Sequence, residues 1–350
     1  MKQVYINGIG AVIPDGSELE EIWCLLEGKQ LSNEVKIPEI PPFISKRKTR
    51  RMDRFSVLAL YGIYSVFKDL NKIKADEDPY EVGTIYNSDY GPLNTLLEFA
   101  SSLSEESEIE PSPVMFANTV LNACIGHLCI ELGLKGVSTM MLGSNYIGYA
   151  MQLIQQGKVK KIVAGGLDEY NGELFKTFNE RGIGVREGAS TIVLADEVSS
   201  DSFCEVIAYS GVNLNTHYCF DPQFTPNPED IKIAINNVLA KANLDASNID
   251  VVVTASDNHN FTDIETTTIY EIFSDTIPIL HPKYTIGELL GASLGMNITV
   301  GALILKKKKM PLHEDANKQL EYVLVNDFNM NGNYTAFILK RINGGIESDV

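Results

Sequence analysis

The chain has 350 residues, 44% of them hydrophobic and 21% charged, the balance of a globular fold with a sizeable buried core in one large unit or two domains. Its formal net charge of −17 argues against nonspecific binding to nucleic acid or to an anionic membrane surface. Cys24, Cys124, Cys129, Cys204 and Cys219 follow no metal-ligand spacing and read as reduced, packed thiols. The opening residues lack a charged region leading into an apolar run, and the longest apolar stretch, Leu289–Leu305, is interrupted by Asn297. The expected compartment is the cytoplasm, with no cofactor implied.

In chain order, Val4–Ile9 reads as a strand, and Ser17 with Glu20 as a capping box opening a helix over Leu19–Glu27 that Gly28 closes. Apolar residues at helical spacing mark a helix within Arg51–Leu70. A strand over Val82–Tyr86 precedes helix Gly126–Leu132, strand Ser138–Leu142, helix Tyr146–Gln156 and strand Lys161–Ala164. Thr191–Ala195 and Val206–Tyr209 are two strands with no room for a helix between them. The pattern then restarts: helix Asp230–Ala242, strand Val251–Ala255, helix Thr262–Phe273, strand Ile277–Leu280, helix Gly291–Leu303, and closing strands Tyr322–Val325 and Thr335–Lys340. Two βα halves, each ending in paired strands, argue for an α/β fold with two sheets that share covering helices. The run Lys306–Lys309 reads as a solvated helix C-terminus. Gly8 and Gly10 are no dinucleotide fingerprint, because the third glycine and the acidic partner are missing.

Eight segments, in order, resemble the β-ketoacyl synthases of the thiolase superfamily over nearly the whole chain. They are INGIGAVIPDGSELEEIWCLLEGK, SKRKTRRMDRFSVLAL, EVGTIYNSDYGPLNTL, CIGHLCIELGLKGVST, IQQGKVKKIVAGGLDE, VREGASTIVL, PKYTIGELLGASLG and VLVNDFNMNGNYTAFILKR. The resemblance implies a thiolase-like fold of two pseudo-equivalent halves, residues 1–205 and 206–350, in a five-layered α/β/α/β/α core. A condensing member of that family needs a thiolate at a helix N-terminus and two histidines that drive decarboxylation and stabilise the resulting charge. Where the cysteine belongs this chain reads LGSNYIGYA, with no cysteine from Met140 to Asn145. Ser144 is either a weak nucleophile or, as the favoured reading, a helix N-cap. Ser256 stands in the first histidine's place, with His259 three residues on, and Glu288 in the second's; Lys283 matches the family's lysine. Asn122-Ala123-Cys124 mimics the nucleophile motif, but its flanks put Cys124 upstream, as a packed thiol near a subunit interface. Met330 takes the place of the family's gating phenylalanine.

The resemblance best fits the chain-length factor, the inactive subunit of a type II polyketide ketosynthase. It implies pairing with an active ketosynthase through Ser138–Leu142 and a share in the tunnel that measures the growing chain. Met115, Phe116, Ala117, Val120 and Leu121 would line that tunnel, with Cys124 beside it. An acyl carrier protein would dock mainly on the partner, the basic cluster Lys46, Arg47, Lys48, Arg50 and Arg51 being the exception to test. Two alternatives stand beside it: an acyltransferase working through Ser144, and a homodimeric scaffold without enzymatic activity.

Overall fold

The computed structural model describes residues 2–14, 16–27, 49–67, 78–104, 110–143, 145–214, 225–256, 259–311, 320–329 and 331–342. The first set of elements is β1 (Tyr5–Val12), α1 (Leu19–Leu26), α2 (Arg54–Val66), β2 (Val82–Ser88), α3 (Leu93–Ser102), α4 (Pro113–Asn118), α5 (Leu121–Leu132), β3 (Ser138–Leu142), α6 (Tyr146–Gln155), β4 (Lys161–Asp168), α7 (Gly172–Glu180) and β5 (Gly188–Ala195). The second is β6 (Cys204–Asn213), α8 (Pro228–Ala242), β7 (Val251–Val253), α9 (His259–Ile272), β8 (Ile279–Leu280), α10 (Pro282–Ile286), α11 (Ser293–Lys307), β9 (Tyr322–Phe328) and β10 (Asn333–Arg341).

Local chemistry sets the ends of these elements. The Asp53 carboxylate accepts the Ser56 N–H at 3.0 Å and caps α2. α8 begins on Pro228 behind an Asn227 cap, and α5 ends on Gly133 at φ 69°. The cap of α1 differs from expectation. Glu18, not Ser17, is the N-cap, and the Glu21 carboxylate accepts the N–H groups of both Ser17 and Glu18. Glu20 points away to Lys307. Gly28 lies outside the described residues.

The strands form one hydrogen-bonded sheet in the order β3-β2-β4-β5-β1-β6-β10-β9-β7-β8. Each set repeats one pattern: two parallel pairs (β2 with β3 and β4, then β7 with β8 and β9) followed by two antiparallel pairs. Sequence patterning suggests two sheets. The sets are in fact joined, through only Tyr5 opposite Glu205 and Ile6 opposite Cys204. The short β5–β6 connection brings β6 back along the free edge of β1.

The fold is the thiolase-like mixed α/β arrangement, with three hydrophobic clusters separated by the sheet. On one outer face, Phe55, Leu58 and Ile63 of α2 pack with Leu128 and Leu132 of α5. On the other, Ile231, Ile235 and Val238 of α8 pack with Phe261 and Ile269 of α9. Between the two sets of strands lie α6 and α11, which share a core with Ile162, Ile192, Val253, Val325 and Phe337. α11 is buried from Ser293 through Leu305, so its apolar character all round follows from its central position. Its polar interruption is satisfied: the Asn297 amide donates to Asn326 O at 3.0 Å and to Asp327 Oδ1 at 3.2 Å.

The approach to α11 needs a strand without a side chain. A Cβ on Gly166 of β4 would overlap the carbonyl oxygen of Gly291 and stand 2.8 Å from its carbonyl carbon. Gly166→Ala should therefore cost at least the roughly 1–3 kcal/mol typical of overpacking, because the obstacle is backbone. Urea unfolding of the variant beside the parent measures that loss.

Candidate functional site

The ends of strands from both sets meet at the N-terminus of α11. Asp168, closing β4, accepts four hydrogen bonds: from Ser88 Oγ at 2.6 Å, Asp89 N at 2.9 Å, Tyr90 N at 3.0 Å and Gly291 N at 2.8 Å. It thereby ties the end of β2 to the turn that enters α11. On the opposite side, Asn297 bridges the ends of β7 and β9. Ligand-binding crevices of α/β sheets form at such carboxyl ends.

At the centre lies Lys283, with only 2% of its side chain exposed. Its ammonium stands 2.7 Å from Glu288 Oε2 and 3.4 Å from Asp327 Oδ1, and donates to Phe328 O at 3.0 Å. Glu288 Oε1 also accepts from Leu290 N at 2.6 Å and Ser293 Oγ at 2.5 Å. Glu288 is thus held by the Lys283 ammonium at one carboxyl oxygen and by two donors at the other. Asp89 lies near this pair, and neither of its carboxyl oxygens has a hydrogen-bond partner among the described residues.

The segment holding Ser256 is organised by another buried acid. Glu265 accepts the N–H groups of Ala255 at 3.0 Å and Ser256 at 2.9 Å, and the Tyr334 hydroxyl at 2.7 Å. Ser256 is fully buried. The side chain of His259 lies outside the described residues, as do Ser144 and Met330. The cap of α6 is Asn145, whose side chain accepts Gly148 N at 2.8 Å, which replaces the Ser144 cap expected from sequence. Gly143 marks the β3–α6 junction at φ 55°, and the Asn333 amide donates to its carbonyl at 3.2 Å.

Residues 40–197 match the model of the beta-ketoacyl synthase N-terminal domain. A 3-oxoacyl-(acyl-carrier-protein) synthase 2 of Synechocystis is 28% identical over 193 residues, 48% of this chain and 45% of that one. Its Staphylococcus aureus counterpart is 23% identical over 362 residues, 88% of this chain and 87% of that one. In fold the chain matches a beta-ketoacyl synthase from Burkholderia phymatum (TM-score 0.80, 22% identity, 98% of this chain and 100% of that one). It also matches a ketosynthase in complex with its chain length factor from Xenorhabdus doucetiae (TM-score 0.79, 18% identity, 97% of this chain and 98% of that one). The chain has a ketosynthase-like fold.

In this ketosynthase-like frame the residues singled out from sequence fall into separate places. Lys283 and Glu288 come together; Ser256 sits in the neighbouring Glu265 network. Phe116 and Ala117 on α4, and Val120 before α5, are exposed, while Met115 and Leu121 are half-buried. Cys124 points the other way, into the core beneath α2, and burial pushes its thiol up. Of the basic cluster, only Arg50 and Arg51 lie among the described residues. The aspartates of this site, Asp89, Asp168 and Asp327, were missed in the sequence. Asp89 follows β2, Asp168 ends β4 and Asp327 is the last residue but one of β9, in the matched segments NSDYG, AGGLDE and VNDF, and that position is the signal that could have found them.

The acids around this single cation titrate unusually. Burial pushes Asp168 up to about 6, against its four hydrogen bonds, and pushes Asp327 up to about 6, against Lys283. Asp89 is raised well above the ordinary carboxylate range by burial, then by Asp168, Glu288 and Asp327. The folded chain therefore holds protons that the unfolded chain releases above about pH 4. This contribution to stability is present in acid and is lost as pH rises through the folded values near 6. Calorimetry should show the melting temperature falling between about pH 5 and pH 7.5. Asp89→Asn, which removes an unpartnered acid without changing its shape, should raise the melting temperature at the upper pH and flatten the slope.

Proposed function

We propose that the protein is a non-catalytic subunit of chain-length-factor type, which pairs with an active ketosynthase and shapes the acyl tunnel of a type II polyketide synthase. The observation that carries this reading is the buried Lys283–Glu288 ion pair in the place that resembles the family's second histidine. A condensing centre has to stabilise negative charge developing on an enolate, and a carboxylate fixed by a lysine and two further donors opposes it. The absence of cysteine from Met140 to Asn145 agrees with that reading.

A partner is supported by the surface around β3. This strand is the edge of the sheet, paired only with β2 among the described residues. Large apolar side chains are exposed on the strand and on the helix packed against it: Leu142 at 59% on β3 and Ile130 at 81% on α5. An open edge strand with apolar neighbours suits a subunit interface, which for an obligate pair buries roughly 2,000 Å² or more. Among structures of similar fold are the ishigamide ketosynthase/chain length factor and the Xenorhabdus doucetiae complex. Because this chain carries a net charge of −17, an acidic carrier protein would dock mainly on the partner.

The purified chain, given malonyl and acyl carrier proteins, should make no β-ketoacyl product and take up no acyl group from a thioester probe. With its cognate ketosynthase it should form a heterodimer that elongates. A stoichiometric adduct on Ser144, lost in Ser144→Ala, would replace this reading with an acyltransferase; a chain that stays monomeric beside its cognate ketosynthase would also end it.

Within the pair, Phe116, whose ring lies 5.3 Å from that of Phe99 between centroids, would form the tunnel floor. Phe116→Ala should lengthen the carrier-bound products read by mass spectrometry, and Val120→Phe should shorten them. An unchanged product distribution from an intact heterodimer would remove this segment from the tunnel.

A further inference from the structure

Four asparagines gather where the turn between β9 and β10 meets the β3–α6 junction. Asn329 Oδ1 accepts the N–H groups of Asn331 and Asn333, each at 3.1 Å. Asn213 donates to Asn333 Oδ1 at 3.1 Å, and Leu214 N donates to Gly332 O at 2.7 Å, so β6 braces the turn from behind. From the front, Asn333 holds the Gly143 carbonyl at 3.2 Å, while Gly143 N donates to Ser88 O at 2.9 Å. A Cβ on Gly143 would overlap the Asn331 amide nitrogen and stand 2.6 Å from its Cγ. Glycine at 143 has two independent causes, then: its left-handed backbone at φ 55° and the amide that fills the space above its Cα. The strain of a left-handed alanine is only about 1–2 kcal/mol, so backbone conformation alone leaves a small side chain tolerable there. The amide does not. The root of the turn is fixed as well, because Lys283 donates to Phe328 O at 3.0 Å.

We propose that Asn331 is a built-in stopper for this junction: its amide occupies the volume of the side chain missing at position 143, and so holds the turn and the start of α6 together as one wall. On the chain-length-factor reading, this wall fixes the junction at which a condensing relative would carry its nucleophile.

The test uses the full chain without any partner, so its failure is distinct from failure of the pairing assay. Gly143→Ala, Asn331→Gly and the double variant form a mutant cycle. Gly143→Ala should lower the melting temperature by several degrees in the parent and much less in the Asn331→Gly background, where the volume is vacant. Hydrogen exchange should rise about tenfold or more in peptides covering residues 142–150 in Asn331→Gly, with β4 and β5 unaffected. Equal losses from Gly143→Ala in both backgrounds, or parental exchange rates in Asn331→Gly, would overturn the proposal. Should Gly143→Ala alone not fold, the readout becomes whether Asn331→Gly restores a folded chain; no restoration overturns it.

Discussion

One buried ammonium organises the place where strand ends of both sets meet. Lys283 joins α10, the turn leading into α11 and the end of β9, through Glu288, Asp327 and the Phe328 carbonyl. Such a pair adds little stability over well-packed apolar side chains, because both charges leave water. Its effect is on geometry. Removing the lysine would leave carboxylates buried without a counter-charge, at a cost of about 3–5 kcal/mol, so the surrounding backbone is confined to arrangements that keep the pair. The turn at Leu290–Ala292 presses on Gly166 within that confinement, and Asp168 fastens it by accepting Gly291 N.

The centre belongs to neither repeat alone. β2, β3 and β4 contribute Asp89, Gly143 and Asp168, while α10, the turn after it and β9 contribute Lys283, Glu288 and Asp327. The strands of the two sets pair with each other in the sheet at only two residue positions. Their cohesion comes instead from α6 and α11, whose apolar faces lie against strands of both sets. At about 25 cal/mol per Å² of apolar surface removed from water, that shared layer far outweighs the short β1–β6 ladder.

Much of this order was legible in the residues. Alternating β-branched runs and helical spacing revealed the doubled βα pattern, since periodicity is local and both repeats bury their strands. The helices α3, α4 and α7 escaped, being short, with apolar residues that partly face outward, as Leu96, Leu97 and Phe116 do. The cap residues were one position off at α1 and α6. Ser, Glu and Asn can all accept a backbone N–H, and which one does so depends on how the chain enters the helix. The join of β1 to β6 carries no local signal, because two residue pairs leave no pattern in either strand.

The site divides along the same line. The absence of cysteine from Met140 to Asn145, the lysine at 283 and the carboxylate at Glu288 are properties of short segments, so sequence alone determined them. It also determined the alternation of elements, since side chains repeating every two or every three to four residues report which face is buried. Tertiary structure decided what these residues meet. Lys283 and Asp327 are 44 positions apart, and Asp89 and Asp168 lie on the other repeat. Only packing brings these groups to one site, takes Asp89, Asp168 and Asp327 out of water and raises their proton affinity. Likewise Gly143 looks like any turn glycine in the sequence. That an asparagine from 188 residues further along fills the space above it follows from the fold alone.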